Sequence, residues 1–466
     1  MTLLASHHES LEGLMPMGIT GRVSAISGMT IEAGDLPLPL GSLCRVHSFG
    51  GRTSLAEVIG FKDQVTLLMS LSGVAGVARG DRIENLASSP TVACSSQLLG
   101  RVIDGFGNPI DGLGPLSRGR LRRIDGTRLA PLDRHVIREP LYTSVRAIDA
   151  IHTCGLGQRM GIFSGPGVGK STLLSQISQH TSADISVIAL IGERGREVQD
   201  FLANSLGPEG LKRCVVIVST GDDTPLLKVR AAKVACTVAE FFRDEGKHVL
   251  LLMDSLTRLA QAQRQIGLAA KEPPATKGFP PSVFAMLPEI LERAGKTERG
   301  SITGFYTVLV EGDDFNEPVP DAVKGITDGH IWLSRKLAAR GHFPAIDILQ
   351  SISRVRDDVA DEEMTGVARK VMTVLSVYDD IEDLVNIGAY VPGASEEYDL
   401  AVQARPRIIE FLKQRPDAPT TGEQAMDQLR QLGRQIQQIE LTLKTRGKQK
   451  LNQQAAQQAA QQAGGR

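Results

Sequence analysis

The chain has 466 residues, enough for two or three domains that each bury a core of their own. Its 52 basic and 53 acidic residues give a formal net charge of -1, which excludes a global field that would gather nucleic acid or anionic lipid and leaves only local contacts. Five widely spaced cysteines (Cys44, Cys94, Cys154, Cys214 and Cys236), with no C-x-x-C pair among them, argue against a disulfide framework or a structural zinc site and predict reduced core residues of a cytosolic protein.

Residues 1–17 form an N-terminal segment with neither a basic start nor a long apolar stretch. No later segment approaches about 18 uninterrupted apolar residues, so neither an export signal nor a membrane span is expected. Residues 18–97 are rich in Gly, Val, Ile and Ser, with short alternating stretches broken by glycine turns, which predicts a small β-barrel domain. From 98 to 378 the texture changes to apolar strands alternating with helical patterns. Ile185 to Ile191, Cys214 to Ser219, Val249 to Asp254 and Phe305 to Val310 are the candidate strands of a mostly parallel α/β sheet. Residues 379–450 are helical in composition. Leu429, Leu432, Ile436, Ile439 and Leu443 make one apolar stripe, too short for an independent coiled coil and suited to a helix packed on its own domain. Residues 451–466 are a low-complexity Gln/Ala tail to which no function is assigned.

The most informative run is Gly161-Ile-Phe-Ser-Gly-Pro-Gly-Val-Gly-Lys-Ser-Thr172. A strand, a glycine-rich turn and a helix opening with Lys-Ser-Thr form a cradle for polyphosphate. Gly165, Pro166, Gly167, Val168 and Gly169 curl the backbone so that its N–H groups converge, and the helix N-terminus adds positive potential. Lys170 is expected on the β and γ phosphates, Ser171 on Mg²⁺, and Thr172 completes the binding run. Ser164 stands where the general G-x-x-x-x-G-K-[ST] pattern has glycine.

Hydrolysis of ATP needs further groups: a second acid for the metal, a group to orient water and a cation for transition-state charge. His248 to Asp254 reads as a buried strand ending in a carboxylate, which places Asp254 at a sheet's C-terminal edge as the second metal group. Ile191-Gly-Glu-Arg-Gly-Arg-Glu197 follows another apolar strand, so Glu193 would reach the same edge and polarise water.

These motifs, with L-L-L-M-D-S-L-T-R, P-P-S-V-F (Pro280 to Phe284), L-P-x-x-x-E-R-A-G (Leu287 to Gly295) and S-I-S-R-V (Ser351 to Val355), resemble the catalytic chains of the rotary ATP synthase superfamily. The closest match among its members is to the flagellar and type III secretion export ATPases, over almost the whole chain. The resemblance implies a RecA-like P-loop NTPase core with an N-terminal small β-barrel and a C-terminal helical domain, and accommodates Ser164. It carries Glu193 and Arg194 over as catalytic or nucleotide-proximal groups, Arg258 as an arginine near the nucleotide, and Phe343 as the aromatic against adenine. Arg354 matches the finger that one subunit inserts into its neighbour's site.

What the resemblance further implies is a Mg²⁺-dependent ATPase, working as a homohexamer and coupled to flagellar protein export. Its expected partners are an export-apparatus regulator, a stalk protein, export chaperones and cargo, with the ring in the cytoplasm and peripheral at the inner membrane face. Injectisome secretion and the catalytic subunit of a rotary ATP synthase are the alternatives. One polypeptide holding both the carboxylate and the finger favours a ring of identical subunits. A nucleic-acid translocase is disfavoured, since the first 95 residues carry only Phe49 and Phe61 as stacking aromatics and no basic cluster.

Overall fold

The computed structural model describes residues 18–117, 119–126, 129–310 and 317–463, so the segment 1–17 and the last three residues of the tail lie outside the described residues. Two compact units are present. The first gathers the described residues of Met1–Val136, Leu156–Ser164 and Ala183–Asp328, and the second those of Ile137–Gly155, Gly165–Ser182 and Gly329–Arg466. Helices of eleven residues or more are α1 (Lys170–His180), α2 (Pro225–Asp244), α3 (Leu256–Ala269), α4 (Pro281–Leu291), α5 (Glu362–Asn386), α6 (Glu396–Leu412) and α7 (Gly422–Ala463).

The first unit begins with β1 (Thr20–Ser27), β2 (Thr30–Gly34), β3 (Leu43–His47), β4 (Thr53–Lys62), β5 (Val65–Ser70) and β6 (Arg82–Ala87). They close into an antiparallel barrel in the order β1-β2-β5-β4-β3-β6. Alternation along each strand turns Val23, Ile31, Ala33, Cys44, Val46, Ala56, Val58 and Ile83 into one core, and closure removes exposed edges.

Beyond the barrel the same unit holds a parallel sheet of β7 (Val102–Ile103), β8 (Arg159–Ser164), β9 (Ile185–Glu193), β10 (Cys214–Thr220), β11 (His248–Asp254) and β12 (Ser301–Leu309). The spatial order is β8-β12-β11-β9-β10-β7, every pairing parallel. β9 to β12 are near-continuous buried runs, with α2 packed on β9, β10 and β11, α3 packed on β12 and β9, and the two helices in contact with each other. Each fully buried Ile, Val or Leu there stabilises the sheet by about 1.5–3 kcal/mol. All four candidate strands of the sequence reading are present, each within a few residues of its expected bounds.

In the second unit, β13 (Gly329–Leu333) and β14 (Ile346–Ser353) pair antiparallel, and α5, α6 and α7 pack as a helical bundle. Leu429, Leu432, Ile436 and Leu443 are buried on α7, so the stripe serves its own domain. The division expected between 378 and 379 falls inside α5, which starts at Glu362 under the Asp361 side-chain cap and continues to Asn386. The tail continues α7 as helix to Ala463. All five cysteines are buried and unpaired, and burial pushes the Cys44 and Cys214 thiols up to about 12. Among the described residues no helix is long and apolar enough to cross a membrane.

Candidate functional site

Parallel strands aim their C-terminal ends at one edge of the sheet, and β8, β9 and β11 deliver the predicted loop and residues there. β8 ends at Ser164, the residue from which the glycine-rich loop departs. Ser164 pairs with Leu309 as ordinary strand and is fully buried, which explains why glycine is unnecessary at this position. β9 ends at Glu193 and β11 at Asp254, the latter opposite Leu190.

Asp254 is 6% exposed and accepts a 2.7 Å hydrogen bond from Thr307 Oγ1. The hydroxyl fixes one carboxylate oxygen, a role the sequence reading missed because Thr307 lies on a neighbouring strand far along the chain. Glu193 is half-buried, and its carbonyl accepts from Gly221 N. Gly192 before it has φ 74, and a Cβ there would come within 2.9 Å of the Arg258 Cβ. Arg258, exposed on the first turn of α3, is thereby held against the backbone that carries Glu193. Arg194 is largely exposed and makes a 3.6 Å contact with Glu197.

In the second unit the loop turns through Gly167 (φ 77) and Gly169 (φ 88), conformations that suit glycine alone, and opens α1 at Lys170. Lys170 is half-buried, Ser171 and Thr172 are exposed, and Val168 is buried beneath the turn while Pro166 is exposed. Nothing lies within 4 Å of a Cβ built at Gly167, so the outer face of the turn is open. Gly165 is needed for a different reason: a Cβ there would sit 2.5 Å from Arg335 Nε. The guanidinium of Arg335, absent from the sequence reading, therefore lies against the start of the loop.

Phe343 approaches the other end of the loop, its ring carbons 3.5 Å from a Cβ built at Gly169. It is 45% exposed, which sets it apart from an ordinary core phenylalanine. Arg354 is exposed immediately after β14. Glu193 and Asp254 thus end strands, Gly165 to Gly169 form the loop, and Lys170, Ser171, Thr172 and Arg258 open helices. The sequence reading missed Thr307 and Arg335, whose only signal is contact with partners remote in the chain.

The glycine-rich turn and helix opening form a cradle of the kind that takes phosphate groups. Within the second unit the glycine backbone and the N-terminus of α1 present N–H groups and the exposed Ser171 hydroxyl; within the first, Asp254 is an acceptor fixed by Thr307.

Comparison with known proteins agrees over nearly the whole length. Residues 144–353 match the nucleotide-binding domain of the ATP synthase alpha/beta family, residues 23–87 its beta-barrel domain, and residues 360–431 the T3SS EscN ATPase C-terminal domain. The flagellum-specific ATP synthase of Bacillus subtilis (strain 168) is 47% identical over 420 residues, covering 88% of this chain and 94% of the relative. The SPI-2 type 3 secretion system ATPase of Salmonella typhimurium is 45% identical over 412 residues, covering 88% and 94%. The assembled EscN ATPase of the enteropathogenic E. coli type III secretion system superposes with a TM-score of 0.84 at 42% identity, over 89% of this chain and 100% of that one. EscN in complex with its central stalk EscO gives 0.82 at the same identity and coverage. The chain belongs to the ATP synthase alpha/beta family, in its branch of flagellar and type III secretion ATPases.

Proposed function

We propose that this chain hydrolyses ATP with Mg²⁺, as a homohexameric ring, to drive protein export through the flagellar type III apparatus. The observation that carries the reading is the convergence of β8, β9 and β11 on one sheet edge, from which the glycine-rich loop, Glu193 and Asp254 all depart. In this reading Gly165 to Gly169 cradle the phosphates and Lys170 offsets charge on the β and γ groups. Ser171 and Asp254 are the residues that would hold the metal ion, and Thr172 would extend the helix N-terminal contact with the phosphates. Mg²⁺ neutralises charge on the transferring phosphoryl when bound. Glu193 orients and polarises the attacking water, and Arg194 and Arg258 flank it. Phe343 offers an open face to adenine, and Arg354 acts in a neighbouring subunit.

The match of residues 360–431 to the EscN C-terminal domain supports export over synthase work. Identity does not separate the two cargoes, because flagellum-specific relatives span 40–49% and type 3 secretion relatives stand at 45%, so the flagellar choice is the one the complementation test below decides. By analogy with EscN and its central stalk, a stalk protein would sit in the ring; as partners of the export work itself we add a regulator, chaperones and cargo, met at the inner face of the cytoplasmic membrane. No nucleic acid is required.

Lys170→Ala tests the core of this reading. Mg²⁺-dependent ATPase activity should vanish while the protein still folds, since a half-exposed side chain at a helix start is removed. Wild-type turnover in that variant would rule out the assignment. Restored motility of a flagellar-ATPase deletion strain, and no restored effector secretion in an injectisome deletion, would fix the cargo.

A further inference from the structure

The segment Ser334–Phe343 touches the glycine-rich loop at both of its ends. Arg335 opens the short helix Arg335–Ala339 with its guanidinium against Gly165, and Phe343 lies beside Gly169. The opposite side of the segment is tied to the helical bundle. Lys336 Nζ reaches Glu382 Oε2 at 2.7 Å and Arg340 Nη1 reaches Glu382 Oε1 at 2.9 Å, so one carboxylate of α5 grips one helical turn with both oxygens. The Glu382 side chain is only 15% exposed, although Lys336 and Arg340 are 59% and 48% exposed; a third cation, Arg405, stands 4.0 Å from Oε1 and belongs to α6, not to the segment. Beyond the clamp, Gln414 N, just past α6, donates to the Phe343 carbonyl at 2.9 Å.

A surface ion pair is ordinarily of little consequence. This one differs in its connectivity, because a short helix has little packing of its own and its two loop contacts move with it. We propose that Glu382 is a positioning residue for nucleotide binding: by gripping Lys336 and Arg340 it holds Arg335 against Gly165 and Phe343 beside Gly169. The proposal rests on the reading of this loop as the nucleotide cradle. The clamp sets how well the cradle is preformed before nucleotide arrives and leaves the groups around Glu193 and Asp254 untouched. It therefore acts on affinity more than on the chemical step.

The test uses the full-length chain, with Mg-ATP turnover and direct binding of a fluorescent N-methylanthraniloyl ADP. Glu382→Gln keeps the shape and removes the charge. It should raise KM and weaken ADP-analogue binding by about fivefold while kcat changes by less than about twofold, in keeping with half-exposed cations. Glu382→Asp, which keeps the charge, should recover most of the affinity. Lys336→Gln with Arg340→Gln, on exposed positions that leave the core intact, should reproduce the Glu382→Gln defect. Adding Glu382→Gln to that pair should weaken binding no further.

Phe343→Ala separates this proposal from the adenine reading. If Phe343→Ala weakens binding and neither Glu382→Gln nor the lysine and arginine pair does, the base contact stands and the clamp is overturned. If Phe343→Ala has no effect while Glu382→Gln still raises KM, the clamp stands, acting through Arg335, and the adenine reading falls. A loss of kcat with unchanged KM in Glu382→Gln would also overturn it.

Discussion

Thr307 Oγ1 donates a 2.7 Å hydrogen bond to Asp254 Oδ1, joining the body of β12 to the last residue of its neighbour β11. A carboxylate at a strand end can swing, and a charge-assisted donor from the adjacent strand takes that freedom away before any metal is bound. Thr307→Val should therefore cost about 1–3 kcal/mol of stability, because a buried acceptor loses its donor. It should also raise the Mg²⁺ concentration needed for half-maximal ATPase activity. An unchanged Mg²⁺ titration beside a lowered melting temperature would mean that the hydroxyl serves the fold alone.

Glu193→Gln separates binding from chemistry. The amide keeps the size of the carboxylate and cannot polarise water, so nucleotide should still bind while hydrolysis falls by about 100-fold or more. Equilibrium binding and single-turnover hydrolysis on one preparation measure both. Loss of nucleotide affinity would make Glu193 a structural residue of the β9 end.

The parts legible in the sequence are those whose signal is local. The loop with Lys170 and Ser171, the strand ending in Asp254 and the turn carrying Glu193 each announce themselves within about ten residues, because strand, turn and helix chemistry act over that range. The barrel showed through its alternation, and the α7 stripe through its helical spacing. Thr307, Arg335 and Glu382 were invisible for the opposite reason. Each is an ordinary residue in an ordinary element, and its role exists only through the register of β11 on β12 or the packing of a short helix against α5. The domain limit near 378 failed to show because Leu375, Val374 and Ile381 continue one helical pattern across it.

Stability should respond to pH through Glu57, a barrel residue on β4 that is 18% exposed and 4.0 Å from Arg230 of α2. Burial pushes its carboxyl up to about 7, with Arg230 pulling the other way. The folded chain then keeps a proton that the unfolded chain has lost above about pH 4, so this group's contribution to stability declines as pH rises from about 4 to 7. Buried Asp149, also raised to about 7, acts in the same direction, whereas His152, lowered to about 4, opposes it by resisting protonation below its ordinary range. The wild-type profile is therefore a mixture, and the difference from Glu57→Gln isolates one group. The melting temperature of Glu57→Gln should gain on wild type steadily across that window. Parallel profiles would show that Glu57 titrates normally in the folded protein.

Arg354 offers the sharpest test of a shared site. It stands exposed just after β14 and carries a permanently charged planar group, and in the proposed ring it would act in the neighbouring subunit. If it completes the neighbour's cradle, Arg354→Ala and Lys170→Ala lie on opposite faces of one subunit interface. Each variant alone should be inactive, the arginine because its contribution to the transition state is on the order of 1,000-fold. Mixed rings contain interfaces that pair an intact Lys170 with an intact Arg354, so mixing the two should restore part of the activity. Two affinity tags purified in sequence would first establish that mixed rings form. If they form and remain inactive, Arg354 works within its own subunit or serves no catalytic step, and the reading of this chain as a ring with shared sites fails.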